Sequence, residues 1–263
     1  MVDRGGRLRY GGDADFAGPA ELIGHPARSA MLLALLDRRA LPMSMLAGEA
    51  GVAASTASEH LGRLVAGGVL RVRQEGRHRY YELASTDVAN ALEALARLAP
   101  PRPVRSLRAG TRAEALRRAR TCYDHVAGYL GVALMGSLIS QGAVVGGDGV
   151  HHRDQAHTDR LAAPGRDLRY RVSDRGWELL DRLGVVVPTG HRRLTGYCVD
   201  WTEQRHHLAG ALGAALLDRF EGLGWLIRGA RGAPRALAIT EAGEQGFARH
   251  FAIDTAEVGA SRP

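Results

Sequence analysis

The sequence has few of the features that mark a secreted or membrane-bound protein. Only two of its 263 residues are cysteines, Cys122 and Cys198, which is too few for the disulfide framework of a small secreted domain. No apolar run approaches the length of about 20 residues that crosses a bilayer, and the N-terminal stretch "MVDRGGRLRYGGDADF" lacks an apolar signal core. We therefore expect a cytoplasmic protein without a membrane partner.

Lysine is absent altogether, so all 35 basic side chains are arginines. The net charge is +7, and its surplus lies in residues 100–121, where seven arginines stand against Glu114 alone. A second excess lies in residues 61–80, with five arginines and one acid, Glu75. Guanidinium groups bind phosphate and guanine through two hydrogen bonds at once, so this composition points to nucleic acid. A solvated basic linker is the alternative.

Residues 21–99 are predicted to form a winged helix-turn-helix domain, preceded by a flexible N-terminal arm, residues 1–20. Helical spacing of apolar residues in "ELIGHPARSAMLLALLDRR" predicts a first helix, and "MSMLAGEAG" predicts a short second one that ends at Gly51. The segment "STASEHLGRLVAGG" predicts a third helix with Ser55 as its N-cap. The strands "VLRVRQ" and "RHRYYEL", joined by a tight turn, complete the motif as a β-hairpin.

The third helix and the hairpin carry the candidate DNA-contacting side chains. Small hydroxyls let the backbone approach phosphates closely, while longer side chains reach base edges in the major groove. Arginines on a wing lie along the phosphates or the minor groove. A winged helix can instead serve protein contacts alone, but the arginine-rich hairpin favours double-stranded DNA. The candidate residues are Ser55, Thr56, Ser58, Glu59, His60, Arg63, Arg71, Arg73, Arg77 and Arg79.

The stretches "LIGHPARSAMLLALL" and "LAGEAGVAASTASEHLGRLVAGGVLRVRQEGRHRYYEL" resemble the arsenic-repressor (ArsR/SmtB) family of bacterial transcription factors. The resemblance covers about residues 20–98, and residues 86–98 resemble the family's dimerisation helix. It implies a homodimeric repressor that leaves its operator when an inducer binds. Metal-sensing members often have cysteines before the recognition helix, or Asp and His after the wing. Here "ALPMSMLAGE" has no cysteine and "STDVANALEALARLA" has no histidine, so any sensor is expected elsewhere in the chain.

A proline-rich linker, residues 100–110, is predicted to separate this domain from a C-terminal sensor and dimerisation domain, residues 111–255. That domain is predicted to begin with a long helix from Thr111 to about Ser140.

The C-terminal domain contains an internal repeat, about residues 122–187 and 198–253. The similar phrases "CYDHVAGYLGVAL" and "CVDWTEQRHHLAGALGAAL" are each followed by a strand and a capped helix, "RVSDRG" and "AITEAG". We expect a mainly α fold with small β wings, in which two winged-helix-like halves form a pseudo-symmetric C-terminal domain.

Both cysteines fall in the repeated phrases, beside histidines. Cys122 and His125 are expected on one helix face, and Cys198 just before a helix that starts at Asp200 and Glu203. A pseudo-twofold crossing would bring two thiolates and two imidazoles together, a set that suits zinc or another thiophilic metal or metalloid ion. Buried core thiols and a redox pair are the alternatives. The candidate ligands are Cys122, His125, Cys198, Asp200, His206 and His207.

A small organic inducer is a further alternative, with the cysteines then structural. It would bind in an apolar pocket lined by aromatic side chains, for which the candidates are Trp177, Tyr197, Trp201 and Trp225. The sequence contains no glycine-rich phosphate loop after a strand, no nucleophile elbow and no suggestive pair of catalytic acids. Enzyme activity is therefore not predicted.

Overall fold

A computed structural model describes two parts of the chain. The N-terminal unit is residues 15–96. The C-terminal unit comprises residues 107–155, 157–159, 164–190, 192–229 and 233–256.

The N-terminal unit contains five helices and a three-stranded sheet among its described residues. The strands are antiparallel, and His78–Leu83 lies between Leu41–Pro42 and Leu70–Glu75. This is the predicted winged helix-turn-helix, with Ala54–Ala66 in the position of the recognition helix and the last two strands of the chain order as the wing. The elements are α1 (Ala17–Gly24), α2 (Pro26–Ala34), β1 (Leu41–Pro42), α3 (Met43–Ala50), α4 (Ala54–Ala66), β2 (Leu70–Glu75), β3 (His78–Leu83) and α5 (Thr86–Ala96).

The ends of α3 and α4 follow from local backbone geometry. α3 ends as predicted, because Gly51 takes a left-handed conformation with φ 64°, which glycine adopts without strain. α4 begins at Ala54, and its N-cap is Ala53, which has extended backbone. Ser55 already lies inside the helix, so the prediction that it caps α4 is wrong.

The single first helix predicted from "ELIGHPARSAMLLALLDRR" is wrong, because His25 has extended backbone and Pro26 begins a separate helix, α2. Two predicted boundaries also shift. Residues 1–14 of the expected arm lie outside the described ranges, and α1 begins at Ala17, within that arm. Residues 97–106, which include most of the expected linker, lie outside them as well. The next helix begins at Leu107, so the last residues assigned to the linker are helical.

The C-terminal unit repeats one order of elements. After its first helix, the order hairpin, helix, strand pair, helix occurs twice, and each strand pair is antiparallel. The elements are α6 (Leu107–Arg118), β4 (Arg120–Cys122), β5 (His125–Ala127), α7 (Tyr129–Ser140), β6 (Val144–Val145), β7 (Arg171–Val172), α8 (Asp174–Arg182), β8 (Gly196–Val199), β9 (His206–Ala209), α9 (Gly210–Gly222), β10 (Leu226–Arg228), β11 (Leu237–Ile239) and α10 (Glu241–Phe251).

The single long helix expected from Thr111 to Ser140 is wrong, because the β4–β5 hairpin interrupts it. The interruption has a local cause at Gly128, whose φ of 77° does not belong to a right-handed helix. A Cβ at Gly128 would also lie 2.6 Å from the carbonyl oxygen of Arg117. This glycine permits a close backbone approach between the hairpin and α6.

The second phrase folds in the same way. The predicted helix start at Asp200 is wrong, since the chain there forms the turn between β8 and β9. The six extra residues of this phrase lie in that turn and at the start of β9. Gly210, with φ 84°, occupies the place of the glycine that precedes α7, and its Cβ would lie 2.8 Å from the nitrogen of Gly196.

The caps predicted for the last helix of each repeat are confirmed. The Ser173 hydroxyl accepts a hydrogen bond from the backbone nitrogen of Gly176 at 3.1 Å. The Thr240 hydroxyl accepts one from Gly243 at 3.0 Å. One apolar core joins both repeats and includes Leu130, Leu138, Tyr197, Leu212, Phe220 and Phe247.

Arginines hold the two units against each other. Arg112 of α6 forms an ion pair with Glu49 of α3 at 2.6 Å. Arg39 donates to the carbonyl oxygen of Pro234 at 2.9 Å, and Arg228 donates to the carbonyl oxygen of Asp37. The N-terminal unit is therefore joined to the C-terminal unit by direct hydrogen bonds and an ion pair. None of the described helices is long and apolar enough to cross a membrane.

Candidate functional site

The recognition helix α4 presents most of the expected DNA-contacting side chains to solvent. Its apolar stripe, which includes Leu61 and Leu64, packs into the core of the N-terminal unit. Glu59 and Arg63 form an ion pair with each other at 2.7 Å on the exposed face. The exposed side chains are Ser55, Thr56, Ser58, Glu59 and Arg63.

His60 is not on that exposed face, so its assignment as a DNA contact is corrected. Its side chain is buried, and its ring centroid lies 4.4 Å from that of His25. Burial, followed by the nearby His25, lowers the pKa of His60. The physical reason is helical spacing, since His60 lies three residues after the buried Ala57 and four before the buried Leu64.

The wing exposes its arginines as expected. Arg71 pairs with Glu82 at 2.8 Å across the hairpin, and Arg73 pairs with Glu75 at 2.8 Å. Among the residues that the structure describes, Arg77 at the turn and Arg79 beside it are exposed and have no acidic partner. These two guanidinium groups are the most available for phosphate.

The two hairpins of the C-terminal unit bring both cysteines and two histidines together. Cys122 pairs with His125 across β4 and β5, and Cys198 pairs with His207 across β8 and β9. All four side chains are buried, and one ligand atom from each lies within 4.8 Å of the other three. We call these four residues the Cys-His cluster. The expectation that Cys122 and His125 share a helix face is wrong, because they are cross-strand neighbours.

Asp200 does not belong to the Cys-His cluster, which corrects its place among the candidate ligands. Arg120 binds its two carboxylate oxygens at 2.9 and 2.8 Å, and the backbone nitrogen of Gly128 donates to one of them at 2.8 Å. That oxygen also lies 3.2 Å from Nδ1 of His207. Asp200 therefore lies behind His207 and holds the two hairpins together through Arg120 and Gly128.

His206 is corrected in the same way. Neighbouring residues of a strand point to opposite faces, so His206 and His207 cannot both face the cluster. Nδ1 of His206 lies 2.8 Å from the hydroxyl of Tyr170 instead, and burial lowers the pKa of His206 to about 4. The histidines of the Cys-His cluster are therefore His125 and His207.

Each histidine of the cluster has a carboxylate at one ring nitrogen. Asp124 lies 3.1 Å from Nδ1 of His125 and is itself held by Arg192 at 3.0 Å. Asp200 and Arg120 take the same positions beside His207. Carboxylates behind metal-binding histidines fix the ring orientation and make the ligand nitrogen more basic.

The outer nitrogens of both rings are buried without a partner. Within the described parts of the chain, Nε2 of His125 and both ring nitrogens of His207 have no hydrogen-bond partner, since Nδ1 of His207 lies 3.2 Å from Asp200 without the geometry of a hydrogen bond. Buried polar atoms are usually hydrogen-bonded, so the two Nε2 atoms beside two thiols require an explanation. A bound ion would supply it.

The charges around the cluster are set by its neighbours. The neighbouring Cys198 sulfur, together with burial and the Glu93 carboxylate, raises the pKa of the Cys122 thiol well above its ordinary value. Burial alone would raise the pKa of Asp200, but Arg120 outweighs it and holds that pKa far below the usual range. Burial alone would lower the pKa of His125, but Cys122 and Asp124 outweigh it and raise that pKa to about 10. These directions favour a protonated thiol at Cys122, a protonated ring at His125 and an ionised carboxylate behind His207.

The aromatic pocket proposed as an alternative is not formed by its four candidates. Trp177 and Trp201 are about half exposed, whereas Trp225 stacks on Phe220 in the core at 5.5 Å. Tyr197 is buried elsewhere, where its hydroxyl donates to Asp159. The cavity beside the Cys-His cluster has a volume of about 40 Å³. Sites for small organic ligands are typically about 300–1,000 Å³, so this cavity is too small for one.

Sequence reasoning missed the residues that surround the cluster. Asp124 stands in the phrase Cys-x-Asp-His and has its counterpart in Asp200, so the repeated acid was an available signal. Arg192 and Glu93 left no local signal, since they reach the site from outside the two hairpins. Arg120 lies on β4 beside Cys122, but its partner Asp200 is on the other hairpin. Glu93, on α5, accepts a hydrogen bond from Sγ of Cys122 at 3.3 Å.

The chain belongs to the helix-turn-helix (HTH)-type transcriptional regulators. It is 36% identical over 237 residues to the HTH-type transcriptional regulator YdfF of Bacillus subtilis (strain 168), covering 89% of this chain and 96% of the relative. No protein-family model matches the sequence. The relative is named as a regulator of transcription and not as an enzyme.

Two solved structures are similar to the N-terminal third of the chain. The cadmium metal-sensor CmtR of Mycobacterium tuberculosis is 30% identical, with 35% of this chain and 99% of that chain covered and a TM-score of 0.28. The homodimeric winged helix-turn-helix domain of Mb0332 from Mycobacterium bovis, a possible ArsR-family regulator, is 28% identical. It covers 34% of this chain and 87% of that chain, with a TM-score of 0.28.

Proposed function

We propose that the protein is a dimeric repressor of the arsenic-repressor type that binds double-stranded DNA. A thiophilic metal or metalloid ion bound by the Cys-His cluster releases it from its operator. The observation that carries the sensing part is the convergence of four buried ligand atoms within 4.8 Å of one another. Membership of the HTH-type transcriptional regulators and the exposed face of α4 support the DNA-binding part.

Dimer formation is supported by the resemblance of α5 to the family's dimerisation helix. Leu92 of this helix packs into its own unit, whereas Leu95 is exposed. An exposed leucine one turn along the helix offers an apolar contact to a second copy. The repeated order of elements in the C-terminal unit supports a duplication that produced two winged-helix-like halves.

The ligand set favours a divalent ion that prefers tetrahedral sites. Two sulfurs with two imidazole nitrogens in tetrahedral arrangement are typical of zinc. Metal–ligand bonds of about 2.0–2.3 Å at tetrahedral angles place ligand atoms about 3.3–3.8 Å apart. Since the ligand atoms lie within 4.8 Å of one another, the cluster needs a contraction of about 1.5 Å at most. Two thiolates also balance a divalent charge, whereas a monovalent ion would leave a buried negative charge.

A thiol redox switch is the second candidate function, and it depends on the same proximity. Sγ of Cys122 and Sγ of Cys198 lie within 4.8 Å of each other in the reduced protein. A disulfide requires an S–S distance of about 2.05 Å, which a small shift of the two hairpins would provide. The buried histidines have no role in this alternative, so we favour the ion.

The test measures DNA binding by the reduced full-length chain, using fluorescence anisotropy and a duplex selected for tight binding from a random pool. One equivalent of Zn²⁺ is expected to raise the dissociation constant of the wild type at least about tenfold. Cys122→Ser and Cys198→Ser should bind the duplex normally and lose this response, and the double variant should match each single one. His157→Ala, which changes an exposed histidine, is the control.

The alternatives give different results. Release by peroxide but not by Zn²⁺ or arsenite supports the redox switch. A response of the double cysteine variant equal to that of the wild type shows that the cysteines are packing residues.

A further inference from the structure

Glu93 connects the Cys-His cluster to the DNA-binding unit. It lies on α5, and its buried carboxylate accepts the hydrogen bond from Sγ of Cys122 across the boundary between the two units. Its neighbour Leu92 packs into the same core as Tyr81 and Leu83 of the wing strand β3. A displacement of Glu93 therefore acts on the helix that supports the wing.

We propose that Glu93 couples the cluster to the DNA-binding unit, because an ion bound by the cluster removes the hydrogen bond that holds α5 against the C-terminal unit. This inference rests on the proposed function. The ion takes the place of the thiol protons of Cys122 and Cys198. Each S–H bond breaks, each sulfur keeps its electron pair and binds the ion, and the two thiol protons leave to solvent together with the proton on the ligand nitrogen of His125. No atom changes oxidation state.

After this exchange the Glu93 carboxylate faces a metal-bound thiolate in place of a donor. The cavity that it lines with Arg120 and Arg235 is only about 40 Å³, so the side chain has room for a small reorientation towards these guanidinium groups. Arg235 is fixed by its hydrogen bond to the carbonyl oxygen of Thr121 at 2.8 Å. Because these partners are fixed and the cavity allows only a small reorientation of the side chain alone, the rest of the adjustment comes from α5, which carries Glu93.

The test compares Glu93→Gln with the wild type in the full-length protein. The glutamine oxygen can accept a hydrogen bond from the thiol of the ion-free cluster, and the glutamine N–H group can donate one to the thiolate of the ion-bound cluster. The variant side chain can therefore stay in place in both states. We expect Co²⁺, followed by its thiolate charge-transfer absorption, to bind with unchanged stoichiometry. The increase in the DNA dissociation constant caused by the ion should fall from about tenfold or more to less than about threefold. Asp87→Asn removes an exposed carboxylate from the same helix and should respond like the wild type.

The possible results separate the coupling from the metal site itself. If the wild type binds no ion, the metal part of the proposed function fails and the coupling fails with it. If wild type and Glu93→Gln bind Co²⁺ and release DNA equally, the metal site stands and the coupling through Glu93 is overturned. The coupling is likewise overturned if the wild type binds Co²⁺ without any change in DNA affinity. Should Glu93→Gln not fold, Glu93→Met supplies an apolar side chain of similar length and is expected to bind Co²⁺ and lose the DNA response. A full response in that variant would also overturn the inference.

Discussion

Gly213 of α9 lies directly against His125 of the β4–β5 hairpin, and a Cβ at Gly213 would be 3.1 Å from the Cβ of that histidine. Gly131 of α7 has the same relation to His207, at 3.4 Å. Each repeat thus uses a glycine on its helix to admit the histidine of the other repeat. Close approach of backbone and side chain is a recurring reason for glycine in a helix.

Gly213→Ala is therefore expected to destabilise the protein and to disturb the Cys-His cluster. The added Cβ would also lie 2.7 Å from the carbonyl oxygen of Leu208, so the crowding cannot be relieved by a side-chain rotation. Overpacking of this kind costs about 1–3 kcal/mol. Urea unfolding should show this loss, together with weaker Co²⁺ binding. Gly222→Ala, at the end of the same helix and with nothing within 4 Å, should be neutral or slightly stabilising.

Arg77→Ala is expected to weaken DNA binding, because Arg77 sits at the tip of the wing without an acidic partner among the described residues. The loss should be about 1–3 kcal/mol if the guanidinium group reads a groove edge, and smaller with a lower salt dependence if it contacts phosphate. Gel shifts at two salt concentrations measure the loss of affinity and the change in its salt dependence. Arg175→Ala, which removes an exposed arginine from α8, should leave the affinity unchanged. Equal losses in the two variants would show that only net charge matters.

His60→Ala should reduce stability more than it reduces sequence discrimination, whereas Ser58→Ala should do the opposite. His60 is buried against His25, while Ser58 is exposed on the same helix. Thermal unfolding and competition between specific and random duplexes distinguish the two effects. Loss of discrimination by His60→Ala at unchanged stability would contradict the buried position.

Stability is expected to fall as the pH drops from about 6.5 towards 4, in part because of His206. Burial lowers the pKa of His206 from 6.5 to about 4, so the folded state holds this ring neutral while the unfolded chain takes up a proton. The contribution of His206 to the free energy of unfolding is complete above pH 6.5. It decreases by up to about 1.4 kcal/mol per pH unit below that pH. His206→Asn should flatten the pH dependence of urea unfolding in this interval. His157→Asn, at an exposed position, should not.

The sequence allowed the N-terminal unit to be predicted closely, because its signals are local. The helical spacing of apolar residues predicted the buried stripe that contains Leu61 and Leu64. Two strand-like segments joined by a glycine turn predicted the β-hairpin of the wing. His60 was misplaced although its spacing from Ala57 assigns it to the buried stripe. A polar side chain on an apolar stripe is easily taken for a surface residue.

The Cys-His cluster could be predicted in composition but not in geometry. The repeated phrases identified the cysteines, and the repeat itself implied that equivalent residues meet. The hairpins were missed because "TCYDHVAG" resembles the start of the apolar helix that follows it, and only the left-handed Gly128 marks the break. Arg120 and Glu93 could not be assigned, since their partners lie far away in the sequence and depend on packing between elements.

X-ray absorption spectroscopy of the zinc-loaded full-length protein tests the central claim most directly. We expect one ion per chain with two sulfur neighbours at about 2.3 Å and two nitrogen neighbours at about 2.0–2.1 Å. Cys198→Ser should lose one sulfur neighbour. A zinc environment of oxygen and nitrogen alone, or no zinc retained by the reduced protein, would contradict a metal site formed by Cys122, His125, Cys198 and His207.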